Sequence, residues 1–82
     1  MFSLTGKIDS SNVAEWEKKL LAEKPTEIDA SQLTYVSSAG LRALLRLRQE
    51  VGGVSVFNVS PYVYEIFDVT GFTQLFNIEK IK

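Results

Sequence analysis

The hydrophobic residues of the chain follow two spacings, which alternate along its length. In "MFSLTG", "EIDASQLTYV" and "VSVFNV", apolar and polar residues take turns at every second position, as they do in strands. In the third of these segments, the alternation predicts Val54, Val56 and Asn58 on one face and Val59 on the other. The segment "LFNIEKI" predicts a last short strand.

Between these strands, apolar residues recur three and four positions apart, which is the spacing of one helix face. The first such segment has Val13, Trp16 and Leu20 in that pattern. We expect it to begin at a capping residue within positions 9–11. Pro25 should stop it, because the residue before a proline is disfavoured in the helical conformation.

Two more helices are predicted in the second half of the chain. One spans residues 39–51, with a stripe of leucines and the glycine pair 52–53 at its end. The other has both starting signals, with Ser60 as the N-cap and Pro61 at the first helical position. Gly71 is expected to end it.

Strands that alternate with helices over short connections predict an α/β fold. With 82 residues the chain has the length of one domain, so a single domain is expected over residues 1–82. About four short strands predict a small mixed sheet with the helices packed mainly on one face. The turn at Ser37 and Ser38 should then lie at the carboxyl end of its strand, where open α/β sheets place functional loops.

Composition argues against several classes of function. Nine basic and ten acidic residues leave a net charge of −1, whereas nucleic-acid binding normally needs a clearly basic surface. The chain has no cysteine for a disulfide or a thiolate metal site. No apolar run approaches the roughly 20 residues of a membrane span, and the N-terminus does not look like a signal peptide. We expect a cytoplasmic protein that contacts neither nucleic acid nor membrane.

The candidate chemistry does not favour an enzyme. A nucleophilic serine needs a base, and without histidine only a serine–lysine arrangement stays open, although the lysines fall in segments expected to be exposed. The glycines of "VGGVSV" lack the lysine and the following helix of a phosphate-binding loop. Possible metal ligands are limited to Asp29 and isolated acids. No catalytic residue, metal or cofactor is therefore predicted.

The adjacent serines Ser37 and Ser38 have two interpretations. A serine at a helix start accepts a hydrogen bond from a free backbone N–H, which contributes about 1 kcal/mol, and one serine is enough for that role. A helix N-terminus also favours an anion, so a phosphorylated serine would be stabilised there. Arg42 lies four residues beyond Ser38 on the same helical face and is within reach of such a phosphate. A solvated outer face is the alternative for Arg42 and Arg46.

The segment "IDASQLTYVSSAGLRALL" resembles the signature of STAS domains, in particular the bacterial anti-sigma factor antagonists, and "SPYVYEIFDVTGF" resembles the second half of the same domain. The resemblance covers residues 4–78. It implies a protein whose unphosphorylated form binds an anti-sigma factor that is also a serine kinase, which releases the sigma factor. It also implies that phosphorylation abolishes this binding and that a serine phosphatase restores it.

Aligned on Gly40, the serine that this family phosphorylates falls on Ser38. Ser37 stands where many relatives have aspartate and is the backup acceptor. Relatives commonly carry a further N-terminal strand, which is predicted to be missing here, and we expect a monomer or a weak homodimer. The resemblance implies a partner-binding surface, with its first two members in a neighbouring loop: Asp29, Ser31, Ser37, Ser38, Gly40, Arg42 and Arg46. Tyr35 is expected in the core or at the rim of this surface.

Two other functions stay open from the sequence. One is a STAS interaction module that is not phosphorylated, such as a subunit of a transporter or of a stressosome-like assembly. The other is a nucleotide-binding or enzymatic protein with a similar α/β architecture. The missing histidine and phosphate loop weigh only against the second, because a fold does not fix a function.

Overall fold

The computed structural model describes residues 1–81. Its strands and helices alternate along the whole chain, as the hydrophobic spacing predicts. The elements are β1 (Phe2–Ile8), α1 (Val13–Glu23), β2 (Glu27–Val36), α2 (Ser38–Val51), β3 (Ser55–Val59), α3 (Pro61–Val69) and β4 (Asn77–Lys80), with a short 3₁₀ helix (Phe72–Gln74) before the last strand.

The four strands form one sheet in the order β1-β2-β3-β4, and every neighbouring pair is parallel. The expected small α/β sheet is confirmed, but it is parallel throughout and not mixed, because a helix connects each strand to the next. Right-handed crossovers between strands in sequential order place all three helices on the same face. The opposite face carries mostly exposed polar side chains from β1 and β2.

The covered face of the sheet builds the hydrophobic core. Its fully buried side chains come from all three helices and the first three strands: Leu4, Leu20, Ile28, Leu33, Val36, Leu44, Leu47, Val56, Val59, Val63 and Phe67. No charged or polar residue in the described part of the chain is buried with them. The core therefore fixes the positions of the helix starts, while the polar side chains of the strands lie on the open face of the sheet.

Strand β2 does not keep a strict alternation. Its register against β1 shifts where Ser3 pairs with Asp29 but Thr5 pairs with Gln32, so an extra residue of β2 bulges out. The bulge returns Leu33 to the buried face three positions after Ala30.

The predicted faces of β3 are wrong at its end. Val59 is buried on the same side as Val56, whereas Asn58 is exposed. Asn58 has a φ of 60°, in the left-handed region, and this conformation breaks the two-residue period. The register between β3 and β4 shifts at the same place.

The helix ends follow the predicted signals with small displacements. Ser60 caps α3 by accepting a hydrogen bond from the backbone N–H of Val63 at 3.4 Å, and Pro61 is the first helical residue, as predicted. The helix ends at Val69, before Gly71. The N-cap of α1 is Asn12, not a residue within 9–11.

Candidate functional site

The serine turn lies at the carboxyl end of β2 and is anchored to the neighbouring strand. The backbone N–H of Ser37 donates to the carbonyl oxygen of Ile8, the last residue of β1, at 2.8 Å. Helix α2 starts at the next residue, Ser38. The turn therefore stands at the edge of the sheet where β1 and β2 end together, as expected for a functional loop in an open α/β fold.

Ser37 is the N-cap of α2. Its hydroxyl oxygen accepts a hydrogen bond from the backbone N–H of Gly40 at 3.4 Å, and its carbonyl oxygen accepts one from Leu41 at 2.9 Å. Ser38, the first helical residue, is exposed, and no hydrogen bond within residues 1–81 engages its hydroxyl. The two serines thus have different environments: one caps the helix and the other presents a free hydroxyl.

Gly40 lets the first turn of α2 lie close to the sheet. A Cβ atom at this position would stand 2.7 Å from Cγ2 of Val36 and 2.9 Å from Cγ2 of Ile8, both closer than real Cβ contacts. Gly40 is also buried. Its place in the predicted partner-binding surface is therefore beneath that surface, where it seats the serine turn on the ends of β1 and β2.

The arginines of α2 differ in what their side chains contact. Arg46 donates through Nη1 to both carboxylate oxygens of Glu17 in α1, at 2.6 and 2.7 Å. Arg48 donates through Nε to the carbonyl oxygen of Leu75 at 2.7 Å. Arg42 is exposed, and no ion pair or hydrogen bond with the described residues engages its guanidinium. It is thus the arginine of α2 that is available to a group arriving at the serine turn.

Asp29 and Ser31 lie within β2, and not in a loop as expected. The Ser31 hydroxyl donates to one carboxylate oxygen of Asp29 at 2.7 Å, and the side-chain amide of Asn58 donates to the other at 2.8 Å. These bonds, that from Asn58 first, hold the pKa of Asp29 below its usual value of 3.8 because they stabilise the ionised form. The three side chains form a polar cluster on the open face of the sheet.

A pocket of about 390 Å³ opens beside the serine turn. It is lined by residues from the end of β1, the end of β2 and the start of α3: Lys7, Asp9, Thr34, Tyr35 and Tyr62. Tyr35 is half-buried and therefore belongs to the rim of the site, one of the two places that its sequence position left open. Tyr62 is 59% exposed at the mouth of the pocket.

Two other features are absent from the same part of the chain. Residues 1–81 contain no group of three or more acidic, histidine or cysteine side chains that could hold a metal ion. Over the same residues, no helix combines the length and the apolar character needed to cross a bilayer.

Comparison with known proteins shows the family of this fold. The family model described as the STAS domain matches residues 1–81. The chain belongs to the STAS domain family.

Two STAS relatives align with most of the chain. One is a protein of Bordetella bronchiseptica named "Putative anti-sigma factor antagonist BtrV". It is 34% identical over 84 residues, and the match covers 92% of this chain and 72% of the relative. The other is a STAS-domain containing protein of Pseudomonas aeruginosa. It is 34% identical over 67 residues, covering 77% of this chain and 66% of the relative.

Two side chains that the sequence analysis did not predict lie beside residues that it did. Asn58 comes next to Asp29 because β2 and β3 are neighbours, but this cluster lies near the start of β2, where Asp29 pairs with Ser3, and not at the serine turn. Tyr62 lines the same pocket as Tyr35, near the end of β2. For Tyr62 the available signal was its position in the chain. Polar and aromatic residues at the ends of consecutive parallel strands and at the following helix starts meet at one edge of the sheet.

Proposed function

We propose that this STAS chain is an anti-sigma factor antagonist of the cytoplasm. In its unphosphorylated form it binds an anti-sigma factor that is also a serine kinase, and this binding releases the sigma factor. Phosphorylation of Ser38 by that kinase abolishes the binding, and a serine phosphatase restores it. The proposal is supported by the family of the chain and by its similarity to a relative whose name contains this role.

The observation that carries the proposal is the difference between the two serines. A kinase needs an accessible hydroxyl that is free to attack the transferred phosphoryl group. Ser38 is exposed and its hydroxyl is free of hydrogen bonds within the described residues, whereas the hydroxyl of half-buried Ser37 caps the helix. Ser38 is therefore the favoured acceptor, and Ser37 is the secondary one.

Electrostatics supplies the physical basis of the switch. A phosphate adds a charge of about −1.5 to −2 and three strong acceptor oxygens. At the start of α2 it would face the free backbone N–H groups and the unengaged Arg42, so the modified chain itself is not destabilised. In a docked complex the same charges would have to be desolvated or would repel the partner, which costs several kcal/mol. A change of 10²- to 10³-fold in affinity needs only about 3–4 kcal/mol.

The arrangement does not support catalysis by the chain itself. The sequence has no histidine, and no hydrogen bond among residues 1–81 joins the Ser38 hydroxyl to a lysine or a carboxylate that could act as its base. The hydroxyl is thus suited to be a substrate for another enzyme.

The test is an affinity purification from lysate of the source bacterium with three baits: the natural chain, Ser38→Asp and Ser3→Asp. The last variant is the matched control, because Ser3 is exposed in β1 at the opposite end of the sheet. We expect the natural chain and Ser3→Asp to retain an anti-sigma factor with a kinase domain, identified by mass spectrometry. Ser38→Asp should bind it about a hundredfold more weakly and therefore retain far less of it.

The opposite outcome is equally specific. If all three baits retain the same transporter subunit or scaffold protein, the chain is a constitutive STAS interaction module and Ser38 is not a switch.

A further inference from the structure

Ser38 and Arg42 are neighbours on the outer face of α2. Both residues are exposed, and they stand four positions apart in the continuous helix Ser38–Val51. Residues at this separation lie one above the other, with about 5–6 Å between their Cβ atoms. Helical side chains lean toward the N-terminus of their helix, so the long side chain of Arg42 can reach that of Ser38. A group added to the Ser38 hydroxyl is therefore within reach of this arginine.

Arg42 has no other anionic partner along its helix. Its neighbours on the helix surface, three and four positions away, are a serine, an alanine, a leucine and another arginine: Ser38, Ala39, Leu45 and Arg46. Ser38 is the one residue of these that can acquire a negative charge. Within residues 1–81, no carboxylate from another element engages Arg42 either, whereas the next arginine, Arg46, is held by Glu17.

The first turn of α2 supplies backbone donors at the same place. The N–H groups of Gly40 and Leu41 donate to the hydroxyl and the carbonyl oxygen of Ser37, respectively. The N–H groups of Ser38 and Ala39 donate to no acceptor within residues 1–81. An anion on the Ser38 side chain would thus lie close to two free N–H groups as well as to the arginine.

We propose that Arg42 binds the phosphate of phosphorylated Ser38 within the same chain and holds it against the start of α2. A guanidinium suits a phosphate because it can donate two parallel N–H bonds to two of its oxygens. The pair keeps a net charge of about −0.5 to −1, since the phosphate carries about −1.5 to −2. The inference rests on the proposed function only in taking Ser38 as the residue that is phosphorylated.

This pairing makes the phosphorylated surface differ from the unmodified one at two positions. The unmodified chain presents a neutral hydroxyl and an unpaired guanidinium to a docking partner. The phosphorylated chain presents a phosphate with a remaining negative charge, and its guanidinium is no longer free to donate to another molecule. Arg42 is thus a positioning residue of the switch, because it fixes where the added charge lies and is itself withdrawn from the docking surface.

The experiment uses the full chain with phosphoserine incorporated at position 38 during translation, so that no kinase is needed. The phosphorus resonance is followed by NMR between about pH 4 and about pH 8, around the ordinary phosphoserine pKa of about 6. The chain has no histidine, so no side chain with an unperturbed pKa near that of the phosphate obscures the curve. Low salt is used, because salt screens exposed ion pairs.

An arginine beside the phosphate favours the dianion and lowers its pKa. Arg42→Gln should therefore raise the phosphate pKa by about 0.5, and Arg42→Lys, which keeps the positive charge, should raise it by less. The matched control is Arg48→Gln, the same substitution in the same helix, because Arg48 donates to the carbonyl oxygen of Leu75. This control should leave the phosphate pKa unchanged.

Thermal stability gives a second measurement of the pair. Unfolding of the natural chain and of Arg42→Gln, each with and without the phosphate, forms a double-mutant cycle. The phosphate should raise the unfolding midpoint of the natural chain by about 2–4 °C, and that of Arg42→Gln by at most about half as much. The part that is left comes from the free N–H groups, which both chains share.

The proposal requires both results. It is overturned if the phosphate pKa is the same in the natural chain and in Arg42→Gln, if Arg48→Gln raises it equally, or if the phosphate shifts the two midpoints equally. Because no kinase takes part, these results are separate from those of the affinity purification. If Ser38→Asp loses the anti-sigma factor but the phosphate pKa does not depend on Arg42, Ser38 remains the switch and Arg42 has no part in it.

Discussion

The N–H of Ser37 and the carbonyl oxygen of Ile8 are joined by a hydrogen bond of 2.8 Å, which ties the start of α2 to the end of the first strand. The side chain of Ile8 meanwhile packs under Gly40. The exposed hydroxyl of Ser38 is thus presented from a turn that is held both by its backbone and by the core. A site held in this way would present one conformation to both enzymes of the proposed cycle, the kinase and the phosphatase.

The close approach at Gly40 predicts a large cost for its replacement. Gly40→Ala gains about 1 kcal/mol of helix propensity, but its Cβ would meet Val36 and Ile8 inside contact distance. Overpacking of this kind typically costs about 1–3 kcal/mol. We expect a net loss in the free energy of unfolding, measured by urea denaturation. The matched control is Gly53→Ala, where an added Cβ meets nothing within 4 Å. Equal stability of the two variants would contradict the role given to Gly40.

Replacing Ser37 should lower the stability of the fold more than replacing Ser38. Ser37→Ala removes the N-cap of α2 and should lower the free energy of unfolding by about 1 kcal/mol. Ser38→Ala removes an exposed hydroxyl without a partner and should change it by less than about 0.5 kcal/mol. Thermal denaturation of the two variants beside the natural chain gives the comparison, and a larger loss in Ser38→Ala would reverse the assignment of the cap.

Phosphate incorporation, in contrast, should require Ser38 and not Ser37. When the chain is incubated with ATP and the kinase found with it, we expect intact-mass spectrometry to detect phosphate on the natural chain and on Ser37→Ala. Ser38→Ala should take up none. Incorporation into Ser38→Ala at the rate of the natural chain would move the acceptor to Ser37 or to another residue.

In the polar cluster on the open face, the lowered pKa of Asp29 can be tested by substitution of its hydrogen-bond donor. Asn58 and Ser31 donate to the ionised Asp29 carboxylate and lower its pKa. Asn58→Ala should therefore raise the pKa of Asp29 toward 3.8, as followed by NMR of its carboxyl carbon. Since the folded pKa lies below the unfolded one, Asp29 stabilises the fold above pH 3.8, and this contribution is lost as the pH falls through the folded pKa. An unchanged pKa in the variant would show that the hydrogen bond from Asn58 has no effect on this carboxylate.

Much of this architecture is readable from local signals. Ser60 and Pro61 fix the start of α3 because each acts on its own backbone, and the hydrophobic periods locate all seven strands and helices. The left-handed Asn58 and the bulge in β2 were missed, because only the pairing of neighbouring strands determines them. The pocket was missed for a similar reason: its lining comes from three elements far apart in sequence.

The sequential strand order also has a consequence for folding. Each strand pairs with the strand before it in the chain, so each step of sheet assembly closes only the loop of a single crossover. The four-residue β4, with one neighbour and no fully buried residue, is the last and weakest addition, and its amide protons should exchange with solvent fastest. The serine turn depends instead on β1 and β2. Opening of the C-terminal end would therefore leave the turn intact. Local unfolding of β4 and the proposed phosphorylation of the serine turn would then be independent of each other.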